Sequence, residues 1–176
     1  MVAMQNHLWS ATNSFGLNTA YSMVRKAWRE YERCSKATNS DDRRDAAINC
    51  AITLWHMTDW VWAGIAPMAA TSREVAKLLE VSGRRPEKSD LVKWALKYCP
   101  ELEICQSICN GSKHVTCEAP VETKMTAPDQ NERGPGRQLV AGIEIVDKDG
   151  TTHGMNVLYR AFEFWYHQAS SHNVLL

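Results

Sequence analysis

A mainly α-helical fold of the α+β class is predicted: five or six helices in a bundle, with a small antiparallel β-hairpin or three-stranded sheet inserted before the last helix. Three features predict it. Apolar residues recur at helical spacing from about Leu17 to Cys109. From Val115 the pattern changes to strand-like alternation interrupted by turn residues. Helical spacing returns from about Asn156.

The first 16 residues lack a clear period and end in Asn13-Ser14-Phe15-Gly16, a turn-like group, so a loose lead-in is expected there. Tyr21, Val24, Trp28 and Tyr31 then recur at steps of three and four. They predict a helix from about Leu17 to Ala37 with Arg25, Lys26, Arg29, Glu30 and Arg33 outward. Ser40-Asp41-Asp42 supplies short oxygen-bearing side chains able to cap a second helix. Its run from Ala46 to Ile65 is apolar on most sides, as expected of the central helix of a bundle. After Gly64 and Pro67 a short loop leads to Thr71-Ser72-Arg73-Glu74, which opens a helix to about Val81 with Val75, Leu78 and Leu79 inward; Ser82 to Pro86 closes it. Ser89-Asp90 starts a helix through Leu91, Trp94, Ala95 and Tyr98, and Pro100 begins another carrying Leu102, Cys105, Ile108 and Cys109. Proline suits a first turn because the donor it lacks has no partner there. That helix ends near Asn110-Gly111, or bends there and continues to His114.

Val121 to Met125 reads as a short strand, and Ala127 to Arg137, with two Pro, two Gly and several charges, as a mobile loop. Gln138 to Val146 and Thr151 to Val157 flank Asp147-Lys148-Asp149-Gly150, a hairpin signal because Asp and Gly tolerate the positive φ of a tight turn. Leu158, Phe162, Trp165 and Tyr166 supply the apolar face of a last helix, and the tail from Ser170 is expected to fray. The expected organisation is one domain over 1–176: a helical bundle over 17–114, a hairpin region over 115–157 and a C-terminal helix over 156–170.

A chain of 176 residues buries roughly two thirds of its extended surface on folding, enough for a real core. Seven Trp against three Phe build that core, or an interface, partly from indoles whose N–H groups need partners when buried. Twenty Lys plus Arg balance twenty Asp plus Glu, which excludes a broad field attracting nucleic acid or anionic membrane. A local basic patch around Arg84, Arg85, Lys88 and Lys93 remains compatible with that balance. The N-terminus lacks the basic start and apolar core of a secretory signal, and no apolar run approaches the ~20 residues that span a bilayer. A cytoplasmic protein is expected, with its six Cys as free thiols. No internal repeat, heptad run, phosphate-cradling loop or Cys-x-x-Cys pair is present, and no cofactor or metal is expected.

Polar chemistry concentrates in two places. On the second helix Asn49, Thr53, His56 and Asp59 or Trp60 recur at steps of three and four, drawing one polar stripe on an apolar helix. A carboxylate three residues from an imidazole can orient it and raise its basicity, as a general base requires. In the structural alternative His56 and Asp59 are core polar groups satisfied by indoles and backbone. The second place is Cys109-Asn110-Gly111-Ser112-Lys113-His114. Either Asn110-Gly111 supplies left-handed residues that end the helix while Lys113 and His114 complement its carboxyl end, or Asn110 and His114 face a cleft on one turn. There His114 would serve as acid or base and Lys113 would neutralise an anion such as a phosphate.

Asn-x-x-x-His at the end of a late helix, in a helical core of this size, resembles the higher eukaryotes and prokaryotes nucleotide-binding (HEPN) superfamily. Active members show Arg, a polar residue often Asn, and then His. The resemblance implies that Asn110 holds the polar position and His114 the catalytic one, with a bundle that is often dimeric. The Arg position is Cys109, and a thiol cannot make the bidentate contact of a guanidinium with a phosphate. Leu54-Trp55-His56-Met57-Thr58-Asp59-Trp60 together with Cys109 to His114 also resembles a bacterial and phage protein family, a resemblance that implies no activity. A third constellation, Cys99, Cys105, Cys109, His114 and Cys117, is chemically able to bind zinc, but its spacings match none of the usual knuckles and buried thiols account for it better.

Two functions are therefore expected as alternatives. In one, a homodimeric HEPN-like protein of a phage or defence system binds RNA or cleaves it without metal, with His114, His56 and Asp59 catalytic and Asn110 and Lys113 on the substrate. In the other, a noncatalytic interaction or scaffold protein uses the same residues structurally.

Overall fold

Thr19 starts the first helix, α1 (Ala20–Lys36), by accepting the Ser22 amide on its hydroxyl at 3.0 Å. In the computed structural model, which describes residues 16–69, 72–113, 121–126 and 141–170, each further helix opens on a comparable local signal. The cap of α2 (Ser40–Ala69) is Asn39, whose Oδ1 accepts the Asp42 amide at 2.8 Å, and Asp41 and Asp42 place carboxylates against the positive end of the helix. The expected loop after Gly64 does not form: α2 runs through Gly64 and Pro67. Proline sits in its last turn, where the missing N–H costs one bond near an already fraying end. Ser72 caps α3 (Arg73–Leu78) through Val75 N–H at 3.3 Å, leaving it shorter than the expected stretch to Val81.

Glu87, two residues before the expected Ser89, caps α4 (Lys88–Tyr98); Asp90 accepts the Glu87 amide at 2.8 Å and the two guanidinium nitrogens of Arg84 at 2.7 and 2.5 Å. This contact holds the Asp90 carboxyl down to about 2. Pro100 precedes α5 (Glu101–Gly111), and α6 (Asn156–Ser170) starts where the spacing placed it.

Three short strands, β1 (Glu122–Met125), β2 (Ile143–Val146) and β3 (Thr152–His153), form an antiparallel sheet in that order, with Thr123 opposite Ile145 and Ile145 opposite His153. The β2–β3 turn obeys a different chemistry from the one expected. Only Gly150 takes a positive φ, of 78°. Asp147 acts through its side chain, one carboxylate oxygen accepting the Asp149 and Thr151 amides at 2.9 Å each. The lead-in over 1–15, the loop over 127–137, the first residues of the strand expected from Gln138, and the tail from 171 lie outside the described residues.

α2 is the hub, packing on α1, α3, α4, α5 and α6. Leu54, Met57, Val61 and Ile65 run down its length fully buried against Val24, Leu91, Leu102 and Leu158. Trp165 of α6 is wholly enclosed and donates its indole N–H to the Leu54 carbonyl at 3.0 Å, the partner a buried indole requires. α1 and α6 are joined by a seam of rings. Trp28 lies 5.5 Å from Tyr31 and 4.9 Å from Phe162, Tyr31 lies 5.7 Å from Tyr159, and Phe162 lies 5.6 Å from Tyr166. A second, smaller core of Ile104, Ile145 and Val157 fixes the inner face of the sheet to α5 and α6. No helix among the described residues is long and apolar enough to cross a membrane.

One backbone position runs against its residue type. α3 ends in a Schellman turn, with Val81 N–H on Ala76 O at 2.8 Å and Glu80 N–H on Lys77 O at 3.2 Å. The left-handed residue of that turn is normally glycine; here it is Glu80, at φ 58°. Its carboxylate accepts Lys97 Nζ at 2.6 Å and the Tyr98 hydroxyl at 2.5 Å, tying α3 to α4.

Two outcomes follow for equilibrium urea unfolding. Trp165→Ala removes a filled volume and a satisfied donor and is expected to cost about 3–5 kcal/mol, against about 1–2 kcal/mol for Trp165→Phe. Glu80→Gly is expected to be about 1 kcal/mol more stable than Glu80→Ala, since both lose the carboxylate and only glycine is at ease at this φ.

Candidate functional site

His56 sits where α2 passes between α1 and the end of α5. It is half-buried, and its Nε2 lies 3.7 Å from the fully buried Cys109 Sγ. One turn earlier Thr53, also buried, donates its hydroxyl to the Asn49 carbonyl at 2.7 Å and accepts Lys26 Nζ of α1 at 2.6 Å. Lys26 is thereby held against the α2 stripe, with Glu30 of its own helix at 3.7 Å. One turn later Asp59 is exposed and pairs with Lys88 at the start of α4. Lys113, one residue past the α5 cap Ser112, completes the rim. Its ammonium has no ion-pair partner among the described residues.

The electrostatics of the imidazole follow from this arrangement. Burial is the largest influence lowering the His56 pKa below its usual 6.5; Lys113 lowers it next, Asp59 opposes, and Lys88 and Lys26 lower it further. Three ammonium groups from three parts of the fold therefore act on one ring, which is neutral at neutral pH and able to accept a proton. Lys88 is paired with Asp59 and Lys26 lies beside Glu30, so Lys113 is the charge of the three left to attract an anion.

Of the residues singled out by sequence, His56, Asp59 and Lys113 come together here, no side-chain contact joins Asn110 to them among the described residues, and His114 lies outside those residues. Asp59 does not play the orienting part foreseen for it: its carboxylate is taken by Lys88, and no hydrogen bond joins it to His56 among the described residues. Nor does Gly111 supply a left-handed helix end. It is helical, Ser112 follows with φ −72° and ψ −17°, and Lys113 N–H turns onto Asn110 O at 3.1 Å. Asn110 is exposed on the last turn while Cys109 is fully buried in the core. Of the basic patch expected near Arg84, two of the four cations are paired, Arg84 with Asp90 and Lys88 with Asp59.

The cysteines behave as small hydrophobes. Burial pushes Cys34 up to about 11, Cys50 and Cys99 up to about 12, and Cys105 well above its usual value, so none of these is a thiolate able to bind metal or attack an electrophile. Among the described residues no three His, Cys, Asp or Glu side chains are grouped to hold a metal ion. Cys117, like His114, lies outside them.

Lys26 was not among the sequence candidates, because nothing in the spacing of α1 tells which of its outward residues meets the α2 stripe. A second pair also went unnoticed. His153 Nε2 and Asp147 Oδ2 stand 2.7 Å apart, and this contact holds the Asp147 carboxyl below its usual range. Hairpin register alone places them diagonally across one face. They border a cavity of about 190 Å³ floored by Ile104 and Val121 at the opposite end of α5 from His56, and there they fasten the turn. Comparison with protein-family models, with curated proteins and with solved structures finds no match to this chain.

In an NMR titration His56 is expected to protonate below pH 6.5, and Lys113→Gln to move that midpoint upward by removing a repelling charge. The sign for stability follows from the lowered basicity. As pH falls below 6.5 the unfolded chain takes up a proton that the folded ring resists, so His56 makes stability decline until the folded midpoint is passed. His56→Gln should flatten that part of the stability profile.

Proposed function

We propose that this chain is a HEPN-like RNA-binding protein with a metal-independent ribonuclease site at His56, working in the cytosol as a homodimer. The observation that carries the reading is a half-buried His56 whose basicity is lowered first by burial and then by Lys113, an ammonium with no ion-pair partner among the described residues. A phosphodiester placed on Lys113 has its charge offset where negative charge grows during attack by the neighbouring 2′-hydroxyl. The neutral His56 takes the proton of that hydroxyl, the 5′-oxygen leaves with a proton supplied by His114, and the products are a 2′,3′-cyclic phosphate and a free 5′-hydroxyl. Asn110, exposed on the last turn of α5, is the amide proposed to donate to a phosphate oxygen. The charge that an arginine would supply in a HEPN site falls here to Lys113, with Cys109 as an apolar backing to the ring.

A second reading, a noncatalytic interaction or scaffold protein, is favoured by one specific contact: Asp59 pairs with Lys88, which leaves His56 without a carboxylate to orient it.

The test is a mixed RNA pool incubated with the full chain in the presence of a chelator, beside His56→Ala and Lys113→Ala of matching helicity. Cleavage with cyclic-phosphate ends, lost in His56→Ala, is expected. Lys113→Ala should weaken binding about two- to tenfold at low salt, one phosphate contact being removed. Binding without cleavage by the unaltered protein would leave only the RNA-binding half of the reading; neither binding nor cleavage would leave the scaffold.

A further inference from the structure

The helix α1 presents three surfaces in a fixed angular order. Its inner face carries the buried Val24, Ala27 and Cys34. At one edge of that face Trp28 and Tyr31 enter the ring seam with α6; at the other Lys26 reaches Thr53 beside His56. Between the two edges, across the solvent side, stand Arg25 and Arg29. Both are exposed, and neither has an ion pair among the described residues. At about 100° per residue the order round the helix is Trp28, Arg25, Arg29, Lys26, in steps of about 40–60°. The arc from the ring seam to the His56 rim is therefore about 15 Å long on a helix about 11 Å wide; Arg25, Arg29 and Lys26 stand along it, and the one carboxylate on it, Glu32 a turn further on, is paired with Lys36.

The seam is not sealed. Tyr159, which contacts both Trp28 and Tyr31, is 37% exposed, and Tyr21, two turns before Trp28 on the same edge, is 47% exposed. Aromatic faces beside unpaired guanidinium groups are the two components of a single-strand site: rings stack unpaired bases of any sequence, and cations follow the backbone. A duplex keeps its bases stacked on each other and has no use for the rings.

We propose that the solvent side of α1 is a track for single-stranded RNA, with bases on the Tyr159–Trp28 edge, phosphates on Arg25 and Arg29, and the strand led over α1 to Lys26 and His56. The inference rests on the RNA reading given above and names its substrate class. It also accounts for the balance of charge. A neutral chain has no general attraction for nucleic acid, whereas α1 alone carries five Lys and Arg against two Glu.

Fluorescence anisotropy with the full chain tests it. A labelled single-stranded oligouridine and an abasic oligomer of the same length are titrated at several salt concentrations. Oligouridine should bind about tenfold more tightly than the abasic strand, and Tyr159→Ala should abolish that preference while Tyr159→Phe keeps it. The double variant Arg25→Ala/Arg29→Ala should weaken both strands and flatten the slope of log K against log salt by about 1.4, two phosphate contacts at ~0.7 each. An unchanged slope and affinity in the double variant overturns the track. So does a Tyr159→Ala protein that keeps the oligouridine preference, or one that loses only self-association in sedimentation, which would assign the ring edge to a second copy of the chain. If Lys113→Ala weakens binding and the double variant does not, the track alone fails; if the unaltered protein binds neither strand, the RNA reading fails with it.

Discussion

A helix about 45 Å long with no broad hydrophilic side is the constraint from which the rest of this structure follows. α2 cannot lie on a surface, so every other helix is placed by the need to cover it: α1 and α5 along its flanks, α4 and α6 across its apolar middle, the short α3 near its end. Covering such a helix makes any polar residue on it conspicuous, because a buried hydroxyl or imidazole must be given partners by the covering elements. Thr53, Thr58 and His56 are those residues; Thr58 is satisfied within α2 by the Trp55 carbonyl at 2.9 Å. Thr53 is satisfied by the Asn49 carbonyl and by Lys26, and His56 is left at the rim, against Cys109 and open on its other side.

That rim has an electrostatic character opposite to what a buried His–Asp stripe suggests. A carboxylate three residues along a helix should stabilise an imidazolium, yet Asp59 spends its charge on Lys88, and burial and the lysines dominate. Burial first, and the lysines after it, keep the ring neutral and able to accept a proton. The cysteines contribute nothing of this kind; buried in apolar surroundings, those with raised values are thiols that fill space.

Aromatic residues divide their work between the interior and the margin. Trp165 is fully enclosed and its indole N–H is satisfied by a helix carbonyl, so it locks α6 to α2 with direction as well as area. The α1–α6 seam is built from rings of which several keep part of a face in water, which holds the two helices together without exhausting the rings' capacity to stack. Glu80 shows the same economy in the backbone: a residue strained at the end of α3 is retained where its carboxylate meets Lys97 and Tyr98 of the next helix.

The helices from Ala20, Ser72, Glu101 and Asn156, the antiparallel sheet and the turn at Gly150 were legible in the sequence, because each is determined by local chemistry: periodic apolar residues, an oxygen at a cap, a glycine in a turn. Where local signals compete, burial decided. Pro67 and Gly64 read as a stop, but α2 continues to Ala69 because its outer turns still have apolar surface to bury. Asn110-Gly111 was legible as the place where α5 ends, but Gly111 closes it with a helical and not a left-handed backbone. Of the site, the stripe carrying Thr53, His56 and Asp59 and the group Asn110 and Lys113 were visible as residue types at helical spacing. Their partners were not. That Lys26 meets Thr53, that Lys88 takes Asp59 and that Cys109 backs His56 depend on how far each covering helix is slid and rotated against α2, and that is set by the sum of many weak apolar contacts rather than by any local pattern. By itself the sequence determined which chemistry the chain carries and on which elements; only the tertiary packing decided which charge stands next to which, because those distances belong to pairs of helices and to neither sequence segment alone.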